Sequence, residues 1–128
     1  MSGAGAIDIS TASGGTLAGI AAGAAGLDRD PAFPAEAFES LEAAGALRAT
    51  VNAVRNEDPV ADTWTLVRAV AAADASVGRI FDGHLNAVER LEVSAEPAVR
   101  DRELARVAGE GLILGVWGAD PALSLIHI

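Results

Sequence analysis

An all-α fold is what this sequence predicts, on three observations. The 51% hydrophobic residues are mostly Ala, Leu and Val, with only 4% aromatic, a composition that favours helix over sheet. Apolar residues recur at spacings of 3 and 4 in several segments, the period of one helix face. Pro31, Pro34, Gly45, Pro97, Gly109 and Gly111 stand where those segments begin or stop, as helix punctuation requires. A chain of 128 residues is the size of one domain and can bury roughly 65% of its unfolded surface, enough for one core.

Residues 1–15 are rich in Gly, Ser and Ala without a periodic apolar face and read as a disordered leader. Thr16 is expected to cap a helix whose Leu17, Ile20, Ala21, Ala24 and Leu27 share one side. Gly19, Gly23 and Gly26 weaken that helix by about 1 kcal/mol each against Ala, so it needs a partner, and the Gly19/Gly23 pair suggests close helix packing. Asp30 before Pro31 ends it. Pro34 opens the next helix, with Glu36 and Glu39 near its positive end, Phe38 and Leu41 facing inward and Gly45 as its stop. Residues 46–59 read mostly as loop.

The strongest periodicity follows. Leu66, Val70, Ala73, Val77 and Ile80 form one stripe, and Trp64, Val67, Ala71, Gly78 and Phe81 a second beside it, so the segment is buried on two sides. Arg68, Ala72, Ser76 and Arg79 remain for water. Asp74 and Ser76 can cap a fresh helix, which divides the segment into 60–73 and 75–92, the second carrying Leu85, Val88 and Leu91 inward. Ser94 and Pro97 open a last helix with Leu104 and Val107 inside, ended near Gly109 or Gly111. Leu112 to Trp117 is then an apolar run of strand length before the turn Gly118-Ala119-Asp120-Pro121. One strand cannot pair with itself, so residues 112–122 read as the start of a β-domain whose remainder is missing, after a helical domain over 16–111.

Nine Lys+Arg against 18 Asp+Glu give a net charge of −9, which repels phosphate backbones and anionic lipid and disfavours nucleic acid and membrane surfaces as partners. No apolar run is long enough to span a bilayer and no cationic segment precedes the Ala/Gly start, so a cytoplasmic protein is expected. All nine basic residues are Arg, the usage of a GC-rich gene. Residues 123–128, Leu-Ser-Leu-Ile-His-Ile, break that usage. They are what CTG-TCT-CTT-ATA-CAC-ATC encodes, the transposon end of a common sequencing-library method, and read as a scar.

Catalytic constellations are excluded in turn. Without Cys there is no thiolate nucleophile and no cysteine metal site. His84, between Gly83 and Leu85, reads as structural. No Ser lies in a G-x-S-x-G elbow, and a P-loop needs a Lys that the chain lacks. Gly109, Gly111 and Gly115 miss the dinucleotide spacing. Glu36/Glu39 and Glu92/Glu96 belong to solvated helix faces rather than to a glycosidase cleft.

The order of five segments is informative: 27–34 (Leu-Asp-Arg-Asp-Pro-Ala-Phe-Pro), 41–45 (Leu-Glu-Ala-Ala-Gly), 73–78 (Ala-Asp-Ala-Ser-Val-Gly), 83–87 (Gly-His-Leu-Asn-Ala) and 111–117. Together, over about residues 16–121, they make the chain resemble the N-terminal helical domain of the acyl-CoA dehydrogenase family. The resemblance implies a parent with a helical N-terminal domain, a middle β-domain and a C-terminal four-helix domain, a homo-oligomer holding FAD between the last two and a neighbouring subunit. It implies α,β-dehydrogenation of an acyl-CoA or related small molecule by a carboxylate base in the C-terminal domain, so no catalytic residue is assigned here and the fragment is expected to be inactive. It further implies that Gly78, Asp82, Leu85 and Asn86 line the far end of an acyl pocket and that Val116, Trp117 and Gly118 approach the flavin. One departure stands out: the family's strand ends in Thr-Glu, whereas here Gly115-Val116-Trp117-Gly118-Ala119-Asp120-Pro121 stands in that place. Alternatives are a flavin monooxygenase on the same scaffold and a stand-alone helical binding module.

Overall fold

The computed structural model describes residues 15–51 and 60–116; the expected leader up to residue 14, residues 52–59 of the expected loop and everything from Trp117 onward lie outside them. The described residues are helical, with no strand among them. α1 spans Thr16–Arg29, α2 Ala35–Ala43, α3 Val60–Ala73, α4 Ala75–Ser94 and α5 Pro97–Glu110, and a 3-10 turn occupies Ala46–Arg48.

Local chemistry explains most of these boundaries. α1 ends at Arg29, and Asp30, the residue before Pro31, is its non-helical cap as expected. Gly45 closes the end of α2 and Gly111 that of α5, both in the left-handed region at φ 78° and 65°, where a residue without Cβ is unstrained. Between α3 and α4 the only non-helical residue is Asp74, whose Oδ1 accepts from the backbone N–H groups of Ser76 (2.8 Å) and Val77 (3.2 Å), the expected cap. Pro97 begins α5 at a position where its missing N–H costs nothing. Thr16 is not the cap foreseen for α1: Gly15 holds that position and Thr16 is the first helical residue, buried.

The main core gathers Ile20 of α1, Phe38 and Leu41 of α2, Ala46 and Leu47 of the 3-10 turn, Leu66 and Val70 of α3 and Val77, Phe81 and Leu85 of α4. Complete burial of a side chain such as Leu41 or Phe81 contributes about 1.5–3 kcal/mol. A smaller cluster, Val88 with Leu104 and Val107, joins α4 to α5. Arg68, Ala72, Ser76 and Arg79 are exposed as expected.

Three expectations are corrected. Trp64, assigned to the second buried stripe, is 64% exposed. It shares its side of α3 with Ala71, which Gly78 of α4 meets near the Asp74 corner, but Trp64 itself stays open to solvent. Gly19 and Gly23 do not support close packing, because a Cβ at either would meet nothing within 4 Å. Residues 112–116 do not form the expected strand. Among the described residues they have no partner strand; instead Ile113 packs on the main core and Leu112 and Leu114 on the smaller cluster, so their apolar side chains are covered by the helices that precede them.

Candidate functional site

The most constrained polar group is His84. Its place on α4 follows from helix periodicity: Val77, Phe81, His84, Leu85 and Val88 fall on the inward side and are all buried. A buried polar side chain needs partners, and His84 has one at each ring nitrogen. Nε2 lies 2.6 Å from the Leu47 carbonyl oxygen, and Nδ1 accepts the Leu114 backbone N–H at 3.0 Å. An amide N–H can only donate, so Nδ1 carries the lone pair and Nε2 the proton that it gives to Leu47. The ring is therefore neutral. Burial pushes its pKa below the ordinary histidine value, against a smaller upward pull from the Leu47 carbonyl.

Nearby, the Thr50 hydroxyl donates to the Leu85 carbonyl at 3.4 Å. The turn after α2 is thus tied to α4 through two consecutive residues of that helix, and the 111–116 segment is tied to the same place. From the sequence His84 reads as structural, without its partners being named. Its position on the buried stripe was the available signal.

The residues that the resemblance assigned to an acyl pocket are spread between core and surface. Gly78 is buried, with Ala71 so close that an added Cβ would lie 2.5 Å from the Ala71 Cα. Leu85 is 2% exposed. Asp82 pairs with Arg79 at 3.6 Å on the surface side, and Asn86 is exposed. Of the residues assigned to the flavin, Val116 is exposed at the end of the described segment; Trp117 and Gly118 lie outside the described residues.

A separate groove of about 500 Å³ runs between the glycine-rich side of α1 and the start of α2, lined among others by Ile20, Gly23, Leu27, Phe33 and Pro34. Phe33 is 55% exposed and stacks on buried Phe38 with ring centroids 5.3 Å apart. The open space over Gly19 and Gly23 is this groove.

No family model, curated protein or solved structure matches this chain. Among the described residues no group of three or more His, Cys, Asp or Glu could hold a metal ion, and no helix is long and apolar enough to cross a membrane. Charge concentrates on α5, where Glu103 accepts from Arg102 at 2.8 Å and Arg106 at 3.1 Å. The Arg102 hydrogen bond, with further help from Arg106, holds the Glu103 carboxyl below its ordinary pKa.

Proposed function

We propose that this chain serves as the N-terminal helical domain of a cytoplasmic, homo-oligomeric flavin-dependent oxidoreductase of the acyl-CoA dehydrogenase type. The observation that carries the reading is the order of the five resembling segments and the element each occupies. Segment 27–34 spans the end of α1 and the α1–α2 connection, 41–45 the end of α2 and 73–78 the α3–α4 corner, while 83–87 lies in the middle of α4 and 111–116 leaves α5. The all-helical body supports a domain of this kind. FAD, when bound, would accept a hydride from the substrate. From this chain it would meet Val116, Trp117 and Gly118, and the exposure of Val116 beyond the Leu114 anchor fits backbone and side-chain groups offered to a cofactor.

The Gly-Val-Trp-Gly stretch at 115–118 stands where the family has Thr-Glu and leaves open a second reading, a flavin monooxygenase on the same scaffold that needs no acyl thioester. Both readings place the chemistry in further domains. The test is to express the natural gene with whatever coding sequence follows Asp120 and to record its visible spectrum. Bound flavin that an acyl-CoA bleaches anaerobically supports the dehydrogenase. Flavin inert to acyl-CoA but reacting with oxygen once reduced supports the monooxygenase, and a colourless, folded full-length protein overturns both.

A further inference from the structure

We propose that His84 is a positioning residue, whose imidazole fixes the backbone of residues 112–116 against α4 and the 3-10 turn and so sets the direction in which Val116 leaves the helical body. The part of this that concerns the flavin rests on the proposed function; the anchoring itself does not.

The segment after Gly111 contributes no helix or sheet ladder of its own, so its course depends on side-chain burial and on individual hydrogen bonds. Burial of Leu112, Ile113 and Leu114 is adaptable, because apolar contacts have no direction. The Leu114 N–H bond to Nδ1 at 3.0 Å does have one. The ring cannot rotate to release it without also breaking the 2.6 Å contact with Leu47, and the ring is 0% exposed, so no water can replace either partner in place. Two residues beyond Leu114 stands Val116, and two residues before His84 on α4 stands Asp82, assigned by the resemblance to the acyl pocket. One ring therefore sets the exit of the segment relative to the helix that carries the other candidate residues.

The test is made on the 128-residue chain by nitrogen-15 NMR and amide hydrogen exchange, with wild type, His84→Leu and His84→Gln. In wild type the His84 ring should carry its proton on Nε2 and the Leu114 amide should be protected. In His84→Leu, which fills the volume but offers no acceptor, Leu114 protection should fall about tenfold or more, and the Val116 amide resonance should move. The Val77 and Phe81 amides of α4 should keep their protection. His84→Gln, which restores an acceptor and a donor, should recover part of the Leu114 protection. A proton on Nδ1, an unprotected Leu114 in wild type, or a loss in His84→Leu spread evenly over α4 would each overturn the proposal. If His84→Leu fails to fold, the two wild-type measurements decide. None of these readouts involves flavin or thioester, so absence of flavin from the full-length protein would remove the proposed function and leave the anchor standing.

Discussion

His84 Nε2 and the Leu47 carbonyl oxygen lie 2.6 Å apart across 37 residues of sequence, and the same ring accepts from Leu114 on its other nitrogen. The consequence for pH follows from the neutral ring. The native pKa is lowered by burial, so at pH values below about 6.5 the unfolded chain binds a proton that the native state refuses. Above that value His84 contributes no pH dependence. Below it, stability should fall by up to about 1.4 kcal/mol per pH unit until the native value is reached. Glu103, held ionised by Arg102, should not add to the slope in that range. Urea unfolding of wild type and His84→Gln from pH 7.5 to about 5 checks this: the wild-type slope should exceed the variant's, and equal slopes would show that the ring is charged or accessible.

Two glycines of α4 should respond oppositely to the same change. Gly83 has nothing within 4 Å of an added Cβ, so Gly83→Ala should stabilise by about 0.5–1 kcal/mol through helix propensity. At Gly78 an added Cβ would meet the Ala71 Cα at 2.5 Å and its Cβ at 2.6 Å, and backbone cannot swing aside as a side chain can. Gly78→Ala should therefore destabilise by about 1–3 kcal/mol. Thermal melts of the two variants decide, and a stabilising Gly78→Ala would mean that α3 and α4 are farther apart than described.

Val70 is fully buried and Arg68, two residues away on α3, is exposed. Val70→Asp should bury an unpaired charge and cost about 4 kcal/mol or more, enough to unfold a marginal domain. Arg68→Glu should stay within about 0.5 kcal/mol. Far-ultraviolet circular dichroism of the pair should show helix lost only in the first; equal losses would place the core on the wrong side of α3.

The α3–α4 corner depends on Asp74, whose carboxylate accepts from two backbone N–H groups. Asp74→Ala should cost about 1 kcal/mol and Asp74→Asn much less, since asparagine caps nearly as well. Chemical denaturation measures both, and equal losses would assign the effect to charge rather than to capping.

Local signals delimited most helix ends, though Thr16 is the first residue of α1 rather than its cap and Ser94 ends α4 instead of opening α5. Pro31, Gly45, Asp74, Pro97 and Gly111 act within a few residues of themselves, through excluded backbone angles, a left-handed φ or a side chain that reaches its own helix start, and the 3- and 4-residue spacing of Leu66 and Val70 on α3 and of Phe81, Leu85 and Val88 on α4 marks the inward sides because the helix period is a local property. Tertiary structure decided which side of each helix meets which neighbour. Trp64 has the spacing of a core residue and is exposed, whereas Ala71 on the same side of α3 meets Gly78 of α4. Gly19 and Gly23 have the spacing of a packing pair and instead border a groove. Leu112 to Leu114 have the composition of a strand, yet a strand exists only if another pairs with it, and here the Leu114 amide is bonded by His84 of α4 while the side chains join clusters already present. Those outcomes depend on contacts between residues tens of positions apart, which periodicity and capping do not encode.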